Sequence, residues 1–257
     1  MSNCCRLSAI GLCLGLALPL LCLADPPAGD RASTTPGRGT ASPLHVGSIA
    51  CDRVLYLGNS ITLHGPAEKI GWTGNWGMAA SSQASDYVHL LTAKIAAAAG
   101  GEPQVRVKNI AAFERTLDQY DIATELKEEL AFRPELVIVA IGENVAALKE
   151  DADRDRFRAS LDALLKAISA AGARKVFVRS NFWVAPEKDA ILRESAKAAG
   201  ATFVDLGEIG REPSMMARSE RKIDHDGVAA HPGDKGMKGI ADALWAAIEA
   251  EAKAEAR

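Results

Sequence analysis

The run Leu136-Val137-Ile138-Val139-Ala140-Ile141 constrains the fold more than any other stretch of the chain. It is apolar at every position, so a strand made from it carries hydrophobic side chains on both faces. Such a strand is stable only with both faces covered, as in the middle of a parallel sheet with helices above and below.

The surrounding sequence fits that picture. Val54-Leu55-Tyr56-Leu57, Val105-Arg106-Val107, Lys175-Val176-Phe177-Val178 and Thr202-Phe203-Val204-Asp205-Leu206 read as four further strands, the second an edge strand because it alternates. Between them lie helical patterns. One is capped by Ser85 and runs to about Ala99, with Val88, Leu91 and Ile95 on one stripe and Gly100 to stop it. The next covers Ile122 to Phe132. Phe157, Leu161, Leu164, Leu165 and Ile168 mark another, and one more lies near Ile191 to Ala199. The last carries Met237, Ile240, Leu244, core Trp245 and Ile248, with an alanine-rich tail read as a solvated end. Strands alternating with helices predict an α/β domain with a parallel sheet.

Two segments precede this domain. Residues 1–24 read as a secretory leader: Arg6 supplies positive charge, Leu7 to Leu21 an apolar stretch, and Cys22-Leu23-Ala24 a small-residue cleavage site before Asp25. Residues 25–50, rich in Pro, Gly, Ser and Thr, read as a flexible linker. The domain proper is then 51–257, exported to the periplasm or the extracellular space, with no stable membrane span once the leader is removed. Four of the five cysteines fall in the leader, leaving Cys51 alone, so neither a disulfide within the chain nor a cysteine metal cluster can form. The five histidines show no metal-ligand spacing, and neither a metal nor another cofactor is expected. A net charge of −3 with interspersed signs argues against a nucleic-acid partner.

Ligand sites in open parallel sheets gather beyond the carboxyl ends of the strands. There the chain places Gly58-Asn59-Ser60, Asn109 to Arg115, Gly142-Glu143-Asn144, Ser180 to Trp183, and a final loop with Asp224-His225-Asp226 and His231-Pro232. Taken singly these are a polar turn, a helix cap and a loop histidine. Together they supply what acyl transfer from an ester needs: a nucleophile, a base, and donors for the tetrahedral oxyanion.

In this order the blocks resemble the SGNH, or GDSL, hydrolase superfamily over about Asp52 to Ala250. Gly58-Asn59-Ser60 looks like its first block with Asn59 where Asp is usual, Gly142-Glu143-Asn144 like its Gly-x-Asn block, and His231-Pro232 like its histidine block. The resemblance implies a three-layer α/β/α sandwich whose five parallel strands take a flavodoxin-like order. It also implies Ser60 as nucleophile, His231 as base, and an oxyanion hole that includes Ser60 and Asn144. Two departures stand out. Glu114 occupies the position of the glycine that gives a backbone N–H to the oxyanion, so the N–H of Glu114 or of Gly77 is expected there instead. Val228 sits where the family puts its acid, leaving Asp226, Asp224 or a main-chain carbonyl to orient His231.

Trp72 and Trp76, in the glycine-rich stretch 71–77, and Trp183 are candidate platforms for sugar rings. The expected activity is therefore that of an exported serine esterase, with an O-acetylated carbohydrate or a small-molecule ester as substrate. A lysophospholipase, thioesterase or general short-chain esterase is the alternative in the same class. A non-catalytic carbohydrate-binding protein on a hydrolase scaffold is the alternative outside it.

Overall fold

The apolar run becomes the central strand of a five-stranded parallel sheet in the computed structural model, which describes residues 42–207 and 209–254. The leader 1–24 and linker residues 25–41 lie outside the described residues. The remainder of the expected linker is ordered. Strands β1 (His45–Val46) and β2 (Ile49–Ala50) pair as an antiparallel hairpin that turns at Gly47, φ 58°. Its small and polar residues hid two buried apolar ones, Val46 and Ile49, which join the core.

Next come β3 (Arg53–Gly58), α1 (Tyr87–Ala99) and β4 (Gln104–Asn109). Asp86 rather than Ser85 caps α1, its carboxylate accepting from the His89 N–H, and Gly100 ends the helix in the left-handed region. The helix expected over Ile122 to Phe132 is broken. After α2 (Ala111–Thr116), α3 (Ile122–Glu125) and α4 (Lys127–Ala131) are separated by Leu126, which is fully buried in the core. The remaining elements are β5 (Leu136–Ala140), α5 (Asp151–Ala170), β6 (Lys175–Arg179), α6 (Pro186–Ala198), β7 (Thr202–Val204), α7 (Asp226–Ala229) and α8 (Asp234–Ala254).

The strand order is β4-β3-β5-β6-β7, flavodoxin-like, with β4 at one edge and β5 in the middle. Alternation along the strands builds two cores. Val54, Tyr56, Leu136, Ile138 and Phe177 face α1 and α8; Leu55, Leu57, Val137, Val139 and Val178 face α5, α6 and the short helices after β4. Each aliphatic side chain fully buried this way contributes about 1.5–3 kcal/mol. Trp245 packs against the first core only partly buried. The end of α8 is less solvated than its alanines suggested: Ala252 is buried, and a Cβ on Gly47 would lie 2.9 Å from the Ala252 Cβ.

In register, Gly58 lies level with both Asn109 and Ala140. The loops leaving β3, β4 and β5 therefore start at one height. The chain passes from β3 outward to β4 and then back across to β5, and this reversal opens the crevice in which such sheets carry their sites.

Candidate active site

Ser60 stands two residues past the end of β3 in a turn wound on Asn59. The Asn59 carbonyl accepts from the N–H groups of Thr62 and Leu63, and its side-chain oxygen accepts from that of Ile61. Glycine is required at the strand end, because a Cβ on Gly58 would meet Thr62 Oγ1 at 1.9 Å. Ile61, fully buried, anchors the turn below, and the Met78 N–H holds the Ser60 carbonyl at 2.8 Å. The hydroxyl is left facing the crevice.

There Ser60 Oγ lies 2.8 Å from His231 Nε2. His231 occupies the link between α7 and α8, its main chain fixed by bonds to Val228 and Ala217. Its Nδ1 lies 2.7 Å from the Gly227 carbonyl. A carbonyl can only accept, so Nδ1 carries the proton and the Nε2 lone pair is turned to the serine. Burial pushes the imidazole pKa below its ordinary 6.5, outweighing the upward pull of the Gly227 carbonyl. The ring is neutral at neutral pH and able to take a proton.

Of the three groups left open to orient the imidazole, a main-chain carbonyl does so, and the choice of Asp226 is corrected. The single turn of α7 folds the chain so that the Gly227 carbonyl, not the Asp226 carboxylate, reaches Nδ1. Asp224 is turned to solvent near Lys222. His225 caps α7, its Nδ1 accepting from the Val228 N–H. Asp226→Asn should therefore leave kcat within about threefold, and the rate should fall on acidification with a midpoint below 6.5, as His231 protonates, in both proteins. A pH–rate profile of the two checks this; a loss of two or more orders of magnitude in the variant would restore Asp226 to the mechanism.

Both expected backbone donors for the oxyanion are already engaged. The Glu114 N–H donates to the Ile110 carbonyl inside the turn of α2, and the Gly77 N–H donates to Asp86 Oδ2 at 3.0 Å. Ala112, which lines the crevice, has an N–H with no acceptor among the described residues, and the same holds for the Ser60 N–H. Asn144 Nδ2 donates to Glu114 Oε2 at 2.7 Å, which leaves it a second proton.

A serine and a neutral histidine are thus in contact at the sheet's carboxyl edge. The profile of the GDSL-like Lipase/Acylhydrolase family matches residues 56–238.

This chain belongs to that family.

Solved structures with the GDSL-like fold resemble it at low identity, so the likeness concerns architecture. A family two carbohydrate esterase from Clostridium thermocellum superposes with a TM-score of 0.52 at 12% identity, over 82% of this chain and 66% of that one. A protein from Bacteroides uniformis named as a GDSL-like lipase gives 0.50 at 14% identity, over 77% and 95% of the two chains. Among curated proteins no match is found.

Around Ser60 this GDSL-like hydrolase has a cleft of about 480 Å³, lined by His64, Ile70, Met78, Ala111, Arg115 and Val228 among others. The three tryptophans are not among those lining residues. Trp72 and Trp76 pack edge to face and donate to the carbonyls of His64 and Ala80, tying down the excursion after β3. Trp183 donates to the Ala230 carbonyl and stands edge-on to the His231 ring, 5.2 Å between centroids. It buttresses the base.

The sequence reading missed a buried charge network beneath the site. Glu143 and Arg179 form an ion pair of 2.6 Å with side chains 3% and 0% exposed. Glu143 also accepts from the Phe182 N–H and, at 2.7 Å, from Asn59 Nδ2. Burial pulls the Glu143 carboxyl up, but Arg179 and these donors hold it below the usual carboxylate range. An arginine directly after the apolar run Val176-Phe177-Val178, and a glutamate between Gly142 and Asn144, were the signals available.

Proposed function

We propose that this family member is an exported serine esterase that cleaves a carboxylic ester through an acyl-enzyme on Ser60. The 2.8 Å contact between Ser60 Oγ and the unprotonated Nε2 of His231 carries this reading. As Oγ attacks the ester carbonyl, Nε2 takes its proton and then delivers it to the leaving alcohol. Water repeats the cycle to release the acid and free serine. The N–H groups of Ser60 and Ala112 and the second amide proton of Asn144 are the donors assigned to the oxyanion. The apolar stretch of residues 7–21 and the cleavage pattern after it support export.

For the substrate, we propose a short acyl group, acetyl in the first place, on a carbohydrate or small alcohol. Ala111, Ala112, Ile70 and Met78 give the cleft a modest apolar lining suited to a small acyl chain. The Clostridium thermocellum relative of like fold, itself a carbohydrate esterase in complex with cellohexaose, supports the carbohydrate alternative for the alcohol. Rates on p-nitrophenyl esters of increasing length test the acyl assignment. For an acetyl or similarly short acyl group the expected optimum is at about two to four carbons. An optimum at eight or more would replace it with a lipase or thioesterase.

A further inference from the structure

Glu114 stands where the family's glycine is expected, is 1% exposed, and is surrounded by donors. Its Oε1 accepts from Asn59 Nδ2 at 3.2 Å and from the main-chain N–H groups of Gly142 at 2.6 Å and Asn144 at 3.2 Å; Oε2 accepts from Asn144 Nδ2. All four partners are N–H groups, a set that favours an ionised carboxylate, against burial and the nearby Glu143, which push its pKa up. No role in binding substrate follows, because the side chain lies beneath the crevice.

We propose that Glu114 is a positioning residue that fixes the side-chain amide of Asn144 for the oxyanion and ties it to the turn carrying Ser60. This rests on the esterase reading above. An asparagine amide can present either its nitrogen or its oxygen by a half-turn of the side chain. Here the two ends are distinguished: the Glu114 carboxylate holds the nitrogen, and Arg115 Nη2, 3.3 Å from Oδ1, holds the oxygen. One amide proton is used in that bond, which sets the plane of the group and leaves the other proton to point away from Glu114. The same carboxylate grips the main chain of Gly142 and Asn144, so the loop and its side chain are located together.

Asn59 in place of the family's aspartate and Glu114 in place of its glycine then become one feature. Asn59 Nδ2 sits between Glu114 Oε1 and Glu143 Oε2. An aspartate at 59 would set a third carboxylate against these two at hydrogen-bond distance. Once a glutamate occupies 114, position 59 must donate, and an amide does so to both neighbours.

Glu114→Gln tests the assignment. The glutamine nitrogen would meet Asn144 Nδ2, and the amide of Asn144 turns over, presenting oxygen to the oxyanion. On p-nitrophenyl acetate kcat should fall about 10²-fold, the scale of losing one oxyanion donor, with KM within about threefold. The acid limb set by His231 should not move. Asn144→Ala should cost about as much, and the double variant no more than either alone, because both act on one donor. Costs that multiply, or a glutamine variant within threefold of the parent, would overturn the proposal. If Glu114→Gln does not fold, the parent protein decides: its Asn144 side-chain NH₂ signals, assigned by their loss in Asn144→Ala, should be protected from hydrogen exchange, and fast exchange would overturn the assignment. Failure of the esterase reading is a separate result, namely turnover that survives loss of Ser60.

Discussion

Ser60→Ala is expected to lower turnover of p-nitrophenyl acetate by about 10⁴-fold or more, roughly 5.5 kcal/mol of transition-state stabilisation. In the proposed mechanism the serine supplies the atom that forms the acyl-enzyme, and among the described residues no other hydroxyl bonds to the His231 ring. What remains is the background that bound donors give to attack by water, which serine hydrolases retain when the nucleophile is lost. Folding should be untouched. The turn is held by Asn59, Ile61 and Gly58, and among the described residues the Ser60 hydroxyl bonds to the histidine alone. The thermal midpoint should therefore stay within about 2 °C, while labelling by a fluorophosphonate, mapped to Ser60 in the parent, disappears. Activity retained within tenfold, or label on another residue, would remove Ser60 from the mechanism.

The second large effect is on stability. Arg179→Met should destabilise the domain by about 3–5 kcal/mol, because it leaves the Glu143 carboxylate buried without its cation. For a domain of this size that corresponds to roughly 6–20 °C in Tm. The arginine is not itself comfortable: its Nε and Nη2 are buried with no partner among the described residues. The pair is thus better understood as neutralising Glu143 than as a source of net stability. Accordingly, Arg179→Met combined with Glu143→Met should recover half or more of the lost stability. The recovered protein should still be a poor catalyst, since Asn59 would have lost one of its two acceptors beneath the nucleophile. Thermal melts of the two variants and the parent decide the matter. A single variant as stable as the parent would show that Glu143 takes up a proton or reaches solvent instead.

The sheet was legible because its code is local and repeated. A strand such as 136–140 is apolar throughout because both faces are covered, and β4 alternates because it lies at an edge. Caps were less legible, since Ser85 and Asp86 are both competent and only the turn before α1 selects between them. The hairpin at 45–50 escaped notice because two buried residues, Val46 and Ile49, are too few to form a period. At the site, Ser60 and His231 could be found because their chemistry depends on side-chain type. The partners of Nδ1 and of the oxyanion could not, because main-chain groups are common to every residue and only the path of the backbone tells which are free. The tryptophans are ambiguous in sequence for a related reason: an indole offers the same face to a sugar as to a protein core, and here its N–H found a carbonyl.

The carbonyl of Gly227 gives the base its orientation from a piece of shape rather than from a side chain. No substitution at position 227 removes that acceptor, and no carboxylate needs to be retained nearby. Vulnerability moves accordingly to the single helical turn of α7. A ligand that wedges it open, or a change that straightens it, would release the imidazole and silence the enzyme with every reacting side chain still in place.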